Sequence, residues 1–186
     1  MRFNEVSATI AEELSQAMSR VSADETASLA AGILHAKRIF LAGAGRSGLM
    51  ARAFAMRLVH LGLQAFVVGD ATTPAIARED LLLIASGSGE TASLAGQAKK
   101  AVAIGAAVGL VTIFPGSTIG KLASYVVAIP APTPKSAQKQ DAVSIQPMGS
   151  LFEQCLLLTL DGIVLLLMAE TGVSSGEMFA RHANLE

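Results

Sequence analysis

The sequence predicts an α/β protein built on a parallel sheet of five strands. Short apolar runs of about five to seven residues alternate with stretches of helical spacing between residues 38 and 129. These runs are almost continuously apolar rather than alternating, as expected of strands covered on both faces. Two of them end directly in glycine-rich polar turns, which is where ligands sit in open parallel sheets.

Phe3, Val6, Ile10, Leu14, Ala17 and Val21 recur at steps of three and four, so the chain opens on a helix. Ser22-Ala-Asp-Glu25 has the spacing of a capping box and starts a second helix running to about His35. The first strand spans 38–42. Helical spacing returns at 47–61, with Met50, Phe54, Leu58 and Leu61 on one face. Strands follow at 64–68 and, after Asp80, at 81–85. A helix over 90–104 starts at about Glu90, ahead of a fourth strand at 107–113. A short helix at 117–123 leads to the fifth strand, 125–129. Residues 130–147 hold Pro130, Pro132, Pro134 and Pro147 and form the longest irregular loop, where function tends to concentrate. Residues 148–170 form a helix that is apolar almost all round, which predicts enclosure on several sides, partly by another subunit. Asp161 within it then requires a hydrogen-bonding partner. A short last helix leads to the tail 181–186. No internal repeat is present, and residues 1–186 read as one domain.

Composition narrows the function classes. Hydrophobic residues make up 52% of the 186 and charged residues 16%, which excludes a disordered chain. So few charges also leave apolar surface for another subunit. The net charge of -1, the scattered basic residues and the absence of Trp argue against nucleic acid as a partner. Cys155 is the single cysteine, so no internal disulfide forms, and no Cys/His cluster has zinc spacing. Glu5, Glu12 and Glu13 interrupt the first residues, which lack the apolar core of a signal peptide. Residues 151–169 carry Glu153, Gln154 and Asp161, so they read as a buried helix of a soluble, cytoplasmic protein and not as a membrane span.

The first glycine turn, Gly43-Ala-Gly45-Arg-Ser47-Gly48, matches the dinucleotide fingerprint, and Asp70 follows 22 residues after Gly48, close to the place of a ribose-binding acid. An NAD-dependent oxidoreductase is therefore one reading. About 35 residues of helix precede this turn, however, and a second turn, Ser86-Gly87-Ser88-Gly89-Glu90-Thr91, ends the third strand. Its glycines let backbone N–H groups approach an anion, the following helix start favours negative charge, and Ser86, Ser88 and Thr91 add hydroxyls. A phosphate monoester, with about -1.5 to -2 charges and three acceptor oxygens, matches this set. No Walker lysine is present, which disfavours a nucleoside triphosphate. The same residues also suit a plain capped helix start.

The order GAGRSG, SGSGET, QPMGSLFEQ and RHANLE resembles the sugar isomerase (SIS) domain family, and within it the 6-phospho-3-hexuloisomerase branch. The similarity runs along nearly the whole chain and is weakest at 131–143. It implies a three-layer α/β/α sandwich of flavodoxin-like type with additional terminal helices, assembled as a homotetramer. It implies conversion of D-arabino-hex-3-ulose 6-phosphate to D-fructose 6-phosphate, the step that follows 3-hexulose-6-phosphate synthase in the ribulose monophosphate route of formaldehyde fixation. It also implies that Ser47 and Ser86, Gly87, Ser88, Gly89, Glu90 and Thr91 contact substrate, and that Glu153 is the general base.

Moving a carbonyl between adjacent carbons passes through a cis-enediol and returns every electron to the substrate, so neither NAD nor a flavin is expected as cofactor. Glu153 suits proton transfer between the carbons, although Ser150-Leu-Phe-Glu153 also has capping-box spacing. His182 is the candidate for proton transfer between oxygens or for ring opening, from a polar tail able to reach a neighbouring subunit; the alternative is a surface histidine. Arg46 is placed to balance phosphate or enediolate charge, or is an exposed loop arginine. His60 and His35, near helix ends, read as structural. Outside enzymes, a phosphosugar-sensing domain fits the same turns, but expects a DNA-binding partner domain for which this chain leaves no room.

Overall fold

The structure is a computed structural model that describes residues 2–132 and 144–185. Five strands, β1 (Ile39–Gly43), β2 (Ala65–Val67), β3 (Leu81–Ala85), β4 (Ala107–Thr112) and β5 (Tyr125–Ala128), form one sheet in the order β2-β1-β3-β4-β5. Every pairing is parallel. The chain thus steps one way from β1 to β2 and the other way from β3 to β5, leaving a switch point between β1 and β3. Right-handed crossovers in opposite directions place their helices on opposite faces. Accordingly α3 (Gly45–His60) covers one face and α4 (Ala92–Ile104) the other.

The two faces are unequally covered. Ile39 and Leu41 of β1 point into a core shared with α1 (Phe3–Met18), α2 (Ala23–His35), α3 and α5 (Ser150–Thr171). Phe40 and Ala42 point to the opposite core, which α4 closes with help from Ile76 and Ile119. That second layer is thin for a physical reason: the segment between β2 and β3 contains no helix, and a single 3₁₀ turn at Gly120–Leu122 stands where a short helix over 117–123 was expected. The last element is α6 (Ser175–Ala180). The five expected strands and the principal helices are present, with ends shifted by a residue or two. Of the long loop expected at 130–147, residues 133–143 lie outside the described residues.

Three local expectations are corrected. Ser22 does cap α2, its hydroxyl accepting from the Glu25 amide at 3.3 Å. Glu25 does not complete the box; its carboxylate accepts from the Ala128 amide at 2.8 Å and so covers an outward-facing N–H of edge strand β5. The helix after β3 starts at Ala92, not Glu90, because Thr91 is its N-cap. Within one chain α5 is enclosed on only part of its surface: Leu158, Leu165 and Leu166 are exposed, and so is Asp161, which therefore needs no buried partner. This is also a helix long and apolar enough to cross a membrane, but half of that stretch is buried within the chain's own core.

At the N-terminal ends of the strands, Asp80 is fully buried and takes two hydrogen bonds from Arg38, at 3.0 and 2.7 Å, and one from the Ala77 amide at 2.7 Å. Burial opposes its charge, yet the hydrogen bonds of Arg38 and Ala77 and the nearby positive charges hold its carboxyl below the ordinary 3.8. The pair ties the start of β1 to the start of β3 far from the glycine turns. Asp80→Ala should cost roughly 3 kcal/mol at neutral pH, measured as a lower urea midpoint. Because the folded carboxyl binds its proton later than the unfolded one, its contribution is complete well above pH 3.8 and fades on acidification below it. The gap between wild type and variant should therefore narrow in acid.

Candidate active site

The turns after β1 and β3 open side by side at the switch point, because β1 and β3 are hydrogen-bonded neighbours in register up to Gly43 and Ala85. In the first turn Gly43 and Gly48 pack backbone to backbone, such that a Cβ on Gly48 would lie 2.7 Å from the Gly43 carbonyl oxygen. Two of the glycines of the dinucleotide-like motif therefore serve strand–helix packing. Asp70, the other half of that motif, is engaged by Arg52 through two contacts of 2.6 and 3.3 Å. Neither feature favours the NAD reading.

The second turn is braced from within and from β4. The Ser86 hydroxyl is buried and accepts from the Gly89 amide at 3.1 Å, and the Ser88 hydroxyl accepts from the Glu90 amide at 3.2 Å. The Gly87 carbonyl accepts from the Ile113 amide and the Thr112 hydroxyl, each at 3.1 Å. Gly89 has a φ of +61, and a Cβ there would meet the Ser117 hydroxyl at 1.9 Å. Glu90 turns its carboxylate to the Thr118 amide, 2.7 Å away. Hydrogen bonding from Thr118, aided by Lys121, holds that carboxyl below the ordinary 4.5. Glu90 is thus a strap to the loop after β4 rather than the helix cap its position suggested.

A third helix start completes the crevice. Phe152 of α5 lies 3.1 Å from where a Gly87 Cβ would stand, so the bare turn and the start of α5 are in direct contact. From the other side, Arg46 at the start of α3 donates to the Ser150 hydroxyl at 2.8 Å and forms an ion pair with Glu153, also at 2.8 Å. Glu153 is mostly buried while the guanidinium is half exposed. The capping-box alternative for Ser150 and Glu153 is not what forms: Gly149 is the N-cap, and both side chains face Arg46.

A missing side-chain cap is not by itself distinctive, since α1 has none at its N-cap Arg2, where the Arg2 amide donates instead to Glu5 at 3.1 Å. α3, α4 and α5 begin at Ala44, Thr91 and Gly149, and none has a side-chain cap, although Thr91 carries a hydroxyl. Away from the crevice, α2 and α6 are capped by Ser22 and Ser174. First-turn amides need partners, and three uncapped helix starts around one crevice make a place for an anion. Ser47, partly exposed in the first turn of α3, adds a further hydroxyl.

His182 stands elsewhere. Its ring lies 5.3 Å from that of His60 at the far end of α3, and the neighbouring Arg181 donates to the His60 carbonyl at 3.1 Å. Arg46 and His60 are fourteen residues apart on one helix, roughly 20 Å at ~1.5 Å per residue. Within a single chain His182 and Glu153 are therefore not brought together. His60 is buried, as expected of a structural histidine; burial, then the charges of Arg57 and His182, push its ring below the ordinary 6.5.

The family model described as the SIS domain matches residues 32–158. The chain belongs to the SIS domain family. Its similarity to proteins named 3-hexulose-6-phosphate isomerase is 48% identity over 186 residues, all of both chains, for that of Bacillus subtilis (strain 168). For that of Mycobacterium gastri it is 44% over 180 residues, 95% of this chain and 88% of the relative. A solved structure from Methanococcus jannaschii, for which a molecular function of 3-hexulose-6-phosphate isomerase is inferred, superposes with a TM-score of 0.84 at 31% identity, covering 98% of this chain and 99% of that one. In this SIS domain the residues missed at the sequence level are Thr112, Thr118 and Ile119, which hydrogen-bond the second turn from the β4 side. Nothing in TIFPGSTI marks them, since their role depends on β3 and β4 being adjacent.

Gly89→Ala should disrupt the second turn, because the added methyl collides with Ser117 and φ is left-handed. The expected outcome is a melting point lowered by several degrees, together with loss of stabilisation by sugar phosphates in a thermal-shift assay. A Gly96→Ala control, at an open helical position, should keep or slightly raise the melting point and leave stabilisation by sugar phosphates intact.

Proposed function

We propose that this SIS domain, residues 1–186 acting as one unit, is an isomerase that interconverts D-arabino-hex-3-ulose 6-phosphate and D-fructose 6-phosphate. The observation that carries the reading is a carboxylate, Glu153, standing at the rim of three uncapped helix starts and paired with Arg46. One part of such a site suits a phosphate and the other a proton in flight. Full-length similarity to two named hexulose phosphate isomerases supports the choice of substrate.

In this reading Ser47, the turn Ser86 to Thr91 and the first-turn amides of α3 and α4 receive the phosphate; Glu90 contributes its backbone, since its carboxylate is held by Thr118. Glu153 takes the proton from C2 and returns it at C3. Arg46, half exposed, exchanges its contact with Glu153 for the oxygen on which enediolate charge develops. His182 moves protons between oxygens or opens a cyclic substrate, and a neighbouring copy supplies it. This agrees with its distance from Glu153 in one chain and with the apolar residues Leu49, Met56 and Leu165 left exposed along α3 and α5, as a homotetramer requires. The product of 3-hexulose-6-phosphate synthase is the substrate, in a cytoplasmic ribulose monophosphate pathway.

A coupled assay should detect fructose 6-phosphate formed from hex-3-ulose 6-phosphate, and the rate should survive EDTA. Glu153→Gln should keep its fold and assembly and lose roughly 10²–10⁴-fold in kcat. Near-wild-type turnover in that variant would remove Glu153 from the mechanism. Fructose 6-phosphate should raise the melting temperature and NAD should not; the reverse would favour the oxidoreductase reading.

A further inference from the structure

We propose that Glu13 is a positioning residue for the general base, gripping from the first helix the strap of chain that sets the start of α5. The proposal rests on the assignment of Glu153 above. Glu13 lies in α1, outside residues 32–158 that match the SIS domain. Its two carboxylate oxygens accept three hydrogen bonds from three successive residues: the Ser144 hydroxyl at 2.7 Å, the Ile145 amide at 2.8 Å and the Gln146 side-chain amide at 2.9 Å. Ser144 in turn accepts from the Gln146 amide at 3.0 Å. Arg20, just beyond the end of α1, donates to the Pro130 carbonyl at 3.2 Å. Burial opposes the charge of Glu13, but the bonds from Gln146, Ile145 and Ser144 outweigh it and hold the carboxyl below the ordinary 4.5, so the grip is ionic at neutral pH.

The strap reaches Glu153 through a strained bend. Met148 has a φ of 55, the one non-glycine positive value among the described residues, and such a conformation persists only where both flanks are held. Downstream, the Ser150 amide donates to the Pro147 carbonyl at 3.1 Å, and Phe152 and Cys155 are buried in the core. Upstream, among the described residues, Glu13 anchors the strap. The strap itself contributes little burial, since Ile145 is 53% and Met148 76% exposed. What the grip controls is therefore where the first turn of α5, and with it Glu153, stands beside Arg46. Displacing a reacting group by about 1 Å is enough to cost about 10²-fold in rate.

The test is steady-state kinetics of Glu13→Ala and Glu13→Gln well below their melting points, with hydrogen exchange on the same samples. Glu13→Ala should lose about 10- to 100-fold in kcat with KM within about threefold, because the phosphate turn is on other elements. Glu13→Gln, which keeps an acceptor for the Ile145 amide, should recover part of the rate. Exchange at Ile145 and in the first turn of α5 should accelerate in Glu13→Ala. A kcat within twofold of wild type, or unchanged exchange there, would overturn the proposal. If Glu13→Ala does not fold, Ser144→Ala removes one of the three bonds, and an unchanged kcat in that folded variant would overturn it instead. Should wild type fail to turn over the hexulose phosphate, the functional reading fails, while the exchange data still decide whether the grip exists.

Discussion

Three helices whose first amides lack side-chain caps converge on one crevice, and every other feature of the site depends on that. A helix start that is neither capped nor solvated is unfavourable, so its N–H groups have to meet water or a ligand. α2 and α6 solve the problem locally with Ser22 and Ser174. α3, α4 and α5 leave it open, and they do so where β1 and β3 diverge in connectivity. At the start of α5 the Arg46 guanidinium lies 2.8 Å from the Glu153 carboxylate and ties the starts of α3 and α5 together.

The sheet separates stability from chemistry. At the N-terminal ends of the strands, Arg38 and Asp80 form a buried, fully hydrogen-bonded pair that faces no crevice. At the C-terminal ends, close backbone approaches replace side-chain packing: Gly43 against Gly48, Gly89 against Ser117, Gly87 against Phe152. Each brings a turn near something a Cβ would keep away. The outcome is a second turn held by hydrogen bonds to β4 and the loop after it. Glu25 and Glu13 extend the same logic, since both spend a carboxylate on backbone amides of a distant segment rather than on their own helix.

Most of the fold was legible because its signals are local. Strand runs such as 81–85 and helical stripes such as Met50, Phe54 and Leu58 follow from periodicity alone, and the second turn announces itself through glycines and hydroxyls placed after a strand. Local spacing misleads where a side chain has a choice of partner. Glu25 sits at capping-box spacing and bonds instead to Ala128, while the capping alternative weighed for Glu153 gives way to Arg46 and the Glu90 carboxylate turns to Thr118. The apolar character of α5 predicts enclosure partly by another subunit, and Asp161 and Leu165 lie on a face that one chain leaves open.

By itself the sequence determined the element types, the parallel character of the sheet and the glycine- and hydroxyl-rich turn at residues 86–91, because propensity, periodicity and glycine content act within a few residues of where they are written. Only the tertiary structure decided that Gly87 meets Phe152, that Arg46 reaches Ser150, 104 positions along the chain, and Glu153 beyond it, and that His182 docks beside His60 instead. Those contacts depend on strand order, β2-β1-β3-β4-β5, which is set by how the helices pack on the two faces and leaves no mark on local residue spacing.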